Sequence, residues 1–247
     1  MRYFIELSYD GTPFIGWQRQ PKGDSVQSCL EDALAMLFRK PLSVIGAGRT
    51  DAGVHAHQLF AHLDLDEHVD QDLTFRLNKL LPKEIAVRSI VAVSQDAHAR
   101  FDAVSRSYRY HITTQKNPFL QKRSYQFAKP LDLDLMNQGA KILIDHVDFK
   151  CFSKSKTDVK TYICDIQHAY WQQNESELVF FIQANRFLRN MVRAIVGTLI
   201  EVGLGKISVS DFEAILVSRD RSQAGYSVPP HALYLEKINY PQHIFAV

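Results

Sequence analysis

With 247 residues, 46% of them hydrophobic and 23% charged, the chain can bury one large core or two small ones, which excludes an intrinsically disordered protein. Lys and Arg number 29 against 27 Asp and Glu, and the resulting net charge of +2 does not by itself announce a polyanionic partner. Cys29, Cys151 and Cys164 are odd in number and far apart, with no Cys-x-x-Cys pair to suggest a metal knuckle or redox motif, which fits a reducing compartment.

Met1-Arg2-Tyr3-Phe4-Ile5-Glu6 places charge where a signal core is apolar, and no run approaches the ~20 apolar residues of a membrane span, so the expectation is a cytoplasmic protein. Tyr3, Ile5, Leu7 and Tyr9 alternate with more polar neighbours, predicting a strand closed by the Asp10-Gly11 turn. Gly16-Trp17-Gln18-Arg19-Gln20-Pro21 is polar around one large ring, either a trapped tryptophan or a loop that grips a ligand. Asp24 with Gln27 resembles a capping box, and Val26, Cys29, Leu30, Ala33, Leu34 and Leu37 follow at helical spacing. Leu42, Val44 and Ile45 read as a strand end. After it comes Gly46-Ala47-Gly48-Arg49-Thr50-Asp51-Ala52-Gly53-Val54-His55, in which three glycines free the backbone while Arg49, Thr50, Asp51 and His55 bring charge and hydrogen-bonding groups. A strand through Leu59 to Leu65, a helix on Leu73, Leu77 and Leu80, and a strand from Ile85 to Val93 complete an N-terminal α+β half, residues 1–104.

The C-terminal half, residues 105–247, begins with Arg106-Ser107-Tyr108-Arg109-Tyr110, a strand that alternates bases with aromatics. Leu133, Met136, Ala140 and Leu143 predict a helix, Thr161 to Trp171 and Leu178 to Gln183 two strands, and Phe187 to Val202 a long helix stopped by Gly203. A capped helix from Ser208 and a strand at Leu233-Tyr234-Leu235 finish the chain. The strand-helix-strand-strand-helix-strand order thus recurs, predicting an α+β fold of two ferredoxin-like, RRM-like (split βαβ) halves, with antiparallel sheets, helices packed on one side and a catalytic cleft between the halves.

Charge is unevenly spread. Acids gather at Asp64, Asp66, Glu67, Asp70 and Asp72, and bases at Arg100, Arg106 and Arg109, at Lys150, Lys154, Lys156 and Lys160, and at Arg186, Arg189 and Arg193, which permits a local phosphate-binding surface. On the predicted 187–202 helix Arg186, Arg189 and Arg193 fall at i, i+3 and i+7, one stripe flanked by apolar residues. For Arg186 and Arg189 a solvated face and an anion-binding face are both open, whereas Arg193, in the middle of the helix, calls for a carboxylate or anion partner, with Asp51 the candidate. Tyr108 and Tyr110 share one strand face, either as a packed pair or as a ring for a nucleobase to stack on, with Arg109 and Arg189 placed to meet phosphates. His55, His57 and His62 do not make a metal site: His62 lies on the opposite parity, and no His-Glu-x-x-His helix exists. The glycine loop is neither a dinucleotide fingerprint, since Asp51 stands where the third glycine belongs, nor a P-loop.

Gly48-Arg49-Thr50-Asp51-Ala52-Gly53-Val54-His55-Ala56 resembles the signature of the tRNA pseudouridine synthase A family, and the likeness extends to Gly16-Trp17-Gln18-Arg19-Gln20, Arg106-Ser107-Tyr108-Arg109-Tyr110 and Met191-Val192-Arg193. The resemblance implies a homodimeric, cofactor-free and metal-free isomerase that converts uridines 38, 39 and 40 of the tRNA anticodon stem-loop to pseudouridine. It places Asp51 on the catalytic aspartate, Tyr108 on the substrate-stacking tyrosine, Arg193 on the arginine that pairs with the aspartate, and Arg49 on an arginine associated with flipping the base. One position departs: Ala232 precedes Leu233-Tyr234-Leu235 where the family usually has glycine. The rival expectation from another class is a non-catalytic RNA-binding protein with two RRM-like halves, against which stands the absence of a phenylalanine-rich RNP1 motif.

Overall fold

The computed structural model describes residues 1–66, 68–70, 72–155, 159–174 and 177–245; Glu67 and Lys156, counted in the charge clusters above, lie outside them. The chain divides into two compact units, residues 1–104 with 234–247, and residues 105–233.

The first unit runs β1 (Arg2–Tyr9), α1 (Val26–Phe38), β2 (Ile45–Gly46), β3 (His55–Asp64), α2 (Leu73–Leu80) and β4 (Ile85–Val93). β1 is central and antiparallel to both neighbours, with Ile5 opposite Ala61 on β3 and Ile90 on β4. Ile5, Leu7, Leu30, Leu34 and Leu59 are fully buried, and Phe4, on the other face of β1, is buried against the rings of Phe60, Tyr240 and Phe245. The predicted strand at 42–45 shrinks to two residues, because side chains from α1 take the backbone groups that a neighbouring strand would use. Val44 N–H donates to the buried Glu31 carboxylate (3.1 Å), and its carbonyl accepts from Gln27 Nε2 (3.0 Å). Arg19 closes this network on Glu31 at 2.8 Å. The helix cap also lies one residue later than expected: Ser25, not Asp24, is the N-cap, and it exchanges bonds with Ser28 in a capping box. The acidic cluster is matched locally, Asp64 by Arg2, Asp66 by Lys40 and Asp70 by Arg76.

The second unit holds β5 (Ser105–Thr113), β6 (Tyr125–Gln126), α3 (Leu133–Ile142), β7 (Ile166–Asn174), β8 (Glu177–Ala184), α4 (Met191–Gly203) and α5 (Val209–Ser218). β8 is central and antiparallel to β5 and β7, so Phe180 faces Tyr110 on one side and Trp171 on the other. Along β8 Leu178, Phe180, Ile182 and Ala184 are buried and the residues between them half-buried, the period of a sheet with one dry face. The last strand, β9 (Leu233–Asn239), runs parallel to β3, His55 opposite Tyr234. Residues 234–247, expected within the C-terminal half, therefore group with the first unit.

Five helices and mostly antiparallel strands, among the described residues, make the predicted mixed α+β fold. In each unit an asparagine on a helix satisfies a strand backbone. Asn78 of α2 bonds both the carbonyl and the N–H of Val87 on β4 at 2.8 Å, and Asn137 of α3 does the same for Trp171 on β7 at 3.2 and 2.7 Å. Such bonds occupy groups that a bare strand would offer to another chain. At the departing position, buried Ala232 ends a 3-10 turn, Pro230–Ala232, closed by Leu233 N–H on the Pro230 carbonyl, and its φ is not positive, so no glycine is needed.

Candidate functional site

In the first unit the segment from Gly46 to His55 is fixed almost wholly through its main chain. Ala47 N–H donates to the Phe60 carbonyl at 2.7 Å, the Thr50 carbonyl accepts from Trp17 N–H at 3.2 Å, and Val54 N–H returns to the Asp51 carbonyl at 3.1 Å. The buried Thr50 hydroxyl meets the Tyr9 hydroxyl at 2.8 Å. His55 Nδ1 accepts from Gly11 N–H at 3.1 Å. Two glycines are demanded by this packing. A Cβ on Gly46 would stand 2.5 Å from Cε2 of the Trp17 indole, and Gly53 holds φ at 77°, the left-handed region.

Trp17 is therefore the trapped tryptophan of the two readings, a buried plate under the start of the loop. The result is a half-buried Asp51, an exposed Arg49 and a buried Thr50 between them, on a short stretch anchored at both ends. The main chain that carries the Asp51 carboxylate is thus held in place, a pre-organised platform for a group acting on a sugar carbon.

The histidines are occupied by packing. The rings of His55 and His57 both lie on Tyr234, stacked at 4.6 Å and edge-on at 5.1 Å, and buried His62 accepts from Ala99 N–H at 3.1 Å. Burial pushes His62 down to about 4 and keeps its ring neutral. Among the described residues no three His, Cys, Asp or Glu side chains gather in a way that could hold a metal.

In the second unit β5 presents the tyrosine face, and burial falls along it. Tyr110 is fully buried, donates its hydroxyl to the Pro229 carbonyl at 3.0 Å, and has its phenol pKa raised by desolvation. Tyr108, two residues earlier, is half-buried and meets the Phe187 ring edge-on at 5.1 Å and 88°. Arg109 on the opposite face is exposed. Tyr110 is thus a packing residue, and Tyr108 is only half-buried.

The arginine stripe is corrected. Helix α4 begins at Met191, not Phe187, because Asn190 adopts φ 68° and is tied by its side chain to Ser227 at 2.6 Å. Arg186 and Arg189 lie in the preceding loop, so the three guanidinium groups do not share a helix face. Arg186 donates to the Thr161 carbonyl at 3.2 Å, and exposed Arg189 accepts Lys154 N–H on its own carbonyl at 3.0 Å. Arg193 sits in the first turn of α4, not its middle, where the helix dipole disfavours a cation. Its restraint comes instead from the 221–228 segment: Nε donates to the Val228 carbonyl at 2.7 Å, and Val228 N–H returns to the Arg193 carbonyl at 3.2 Å.

Arg221 in turn gathers the Ala224 and Gly225 carbonyls at 3.1 Å each. This segment and Phe187 are the supports that the sequence reading passed over. Phe187, flanked by Arg186 and Arg189, repeats the base-aromatic alternation of the Tyr108 strand, and that was the available signal.

A family model described as tRNA pseudouridine synthase matches residues 7–102 and 140–241. Among curated relatives, a protein of Parabacteroides distasonis is 53% identical over 249 residues, covering 100% of this chain and 98% of that protein. One of Bacteroides fragilis is 55% identical over 247 residues, 99% and 98% respectively. One of Bacillus subtilis is 39% identical over 245 residues, 97% and 99%. All three carry the name tRNA pseudouridine synthase A.

Proposed function

We propose that this chain, which belongs to the tRNA pseudouridine synthase A family, isomerises uridines 38, 39 and 40 of the tRNA anticodon stem-loop to pseudouridine, with Asp51 as the catalytic carboxylate. As a member of the family it is an isomerase that acts on tRNA. The observation that carries the finer reading is the backbone-locked loop that holds Asp51 half-buried beside exposed Arg49.

The reaction breaks the N1 to C1′ bond, turns the uracil and joins C5 to C1′. C5 loses its proton and N1 gains one, so the product is an isomer and no co-reactant is consumed. In this proposal Asp51 acts at the sugar, either bonding to C1′ or stabilising positive charge there as a glycosidase carboxylate does. Tyr108 stacks on the uracil, and its hydroxyl, directly or through water, helps to take the C5 proton. Arg193 is assigned as the cation that pairs with the catalytic carboxylate and orients it through a charge-assisted contact. Arg49 is assigned to base flipping, and Arg109 and Arg189, both exposed, to phosphate contacts.

A homodimer working in the cytoplasm completes the proposal; no helix among the described residues is long and apolar enough to cross a membrane. The test is to incubate the protein with unmodified tRNA transcripts and EDTA, without cofactor, and to map the product. Pseudouridine at 38 to 40 is expected. Modification confined to other positions, or dependence on an added metal, overturns the assignment.

A further inference from the structure

The sequence holds 11 glycines. Four of them keep φ between +67° and +108°, a region in which a side chain is strained. At six more, a Cβ would come within 3.0 Å of a neighbouring atom. In those ten the chain's own backbone conformation or neighbouring atoms oppose a side chain. Gly48 is the exception: its φ lies outside the left-handed region, and a Cβ built on it meets nothing within 4 Å. An alanine there would restrict the unfolded chain more than glycine does and stabilise the fold.

The open space does not belong to a loose stretch. Ala47 is fixed to the Phe60 carbonyl and Thr50 to Tyr9 and Trp17, so Gly48 and Arg49 bridge two anchors. Charge is ordered along the bridge, with the exposed Arg49 cation next to Gly48 and the Asp51 carboxylate three residues on. An anionic strand is attracted to the first and repelled by the second, which sets a phosphate on the Gly48–Arg49 side.

We propose that Gly48 is a close-approach position for RNA: the sugar–phosphate backbone beside the reacting nucleotide packs on the bare main chain of Gly48, with Arg49 supplying the charge. This rests on the reading of Asp51 as the residue that meets the flipped uridine. The position thereby acts as a specificity device, since a side chain there excludes the strand without disturbing the loop that carries Asp51.

The experiment compares Gly48→Ala and Gly48→Val with wild type for melting temperature, filter-binding affinity for an unmodified tRNA transcript and single-turnover pseudouridine formation. Gly46→Ala, which drives a methyl into the Trp17 indole, serves as the structural reference. For Gly48→Ala the melting temperature is unchanged or raised by roughly 1–4 °C. Its affinity weakens by roughly ten-fold, the size of a modest steric overlap, and Gly48→Val weakens it further.

A Gly48→Ala protein with wild-type affinity and rate overturns the proposal, as does one with a lowered melting temperature, which would mean that the chain itself needs glycine. Should wild type bind the transcript and form no pseudouridine, the catalytic reading fails while the affinities still decide the role of Gly48. Should wild type modify the transcript and both Gly48 variants match it, this inference alone fails. Absence of binding by wild type ends both.

Discussion

The two units hold their candidate residues by different means. Around Asp51 the restraints are main-chain hydrogen bonds, a buried hydroxyl pair and glycines that admit no Cβ. Around Tyr108 and Arg193 they include side-chain contacts, the edge of Phe187 for the ring and the Val228 carbonyl for the guanidinium. A site built from backbone is rigid but intolerant of added volume. A site built from side chains tolerates small changes of volume and degrades in steps. The largest test of the contrast is Asp51→Asn, which keeps the backbone lock and removes the charge. Turnover should fall roughly a thousand-fold or more with tRNA affinity retained; tritium release from C5-labelled tRNA at the wild-type rate would show that the lock serves something other than this carboxylate.

Buried titratable groups extend the contrast to pH. His62 in the first unit is held at about 4 by desolvation, with Arg2 and His98 adding repulsion and Asp64 and Asp102 opposing it. The unfolded chain binds a proton near 6.5 that the folded unit refuses, so stability of the first unit falls as pH drops from about 6.5 to about 4, by up to ~3 kcal/mol. In the second unit burial pushes Cys151 up to about 12 and Cys164 up to about 11. Their unfolded thiols ionise near 9, so that unit loses stability as pH rises from about 9 towards those values. Cys29 of the first unit is raised in the same direction but is only half-buried. Each unit carries one of the two tryptophans, Trp17 and Trp171, so single-tryptophan variants report the units separately. Urea midpoints should fall on the acid side for Trp17 and on the alkaline side for Trp171; midpoints that move together on both sides would break the contrast.

Gly46→Ala tests the intolerance of the backbone-held loop. The added methyl meets the Trp17 indole, which is itself buried and has little room to retreat, so about 1–3 kcal/mol of stability is lost and activity falls with it. Thermal melts and turnover measured on the same preparation check this. A stable and fully active variant would show that the loop can shift, against the rigid reading.

Periodicity made most of the fold legible, since β8 buries one alternating set of side chains, β1 buries Tyr3, Ile5, Leu7 and Tyr9, and α1 buries one face, whereas β3 is buried without a break from Leu59 to Leu63. The failures share a cause. The Phe187–Met191 stretch is apolar enough to extend the helix pattern, yet Asn190 adopts a left-handed φ, and a pattern of side chains carries no information on one backbone dihedral. The strand expected at 42–45 is reduced to Ile45–Gly46 because Glu31 and Gln27 of α1 claim the Val44 backbone. At the candidate site, Asp51, Arg49 and Tyr108 stand out in the sequence because their residue types can make chemistry. The supports do not: Val228 contributes main-chain groups, which every residue has, and Gly48 differs from Gly46 only in what surrounds it.

Phe187→Ala gives the smallest effect and bears most directly on the side-chain-held unit. The edge contact with Tyr108 is an aromatic pair of the kind worth about 0.5–1.5 kcal/mol beyond the area it covers. Phe187 is half-buried in the loop before α4 and Arg193 is anchored separately to Val228, so removing the ring should leave the arginine in place. The expected outcome is a two- to ten-fold loss of turnover with stability changed little, and Phe187→Tyr should restore most of it because the edge survives. A loss as deep as that of Asp51→Asn would mean that Tyr108 is locked as tightly as the aspartate loop. No loss at all would mean that the tyrosine is oriented by its strand alone, and the division between backbone-held and side-chain-held residues would then rest on Arg193 only.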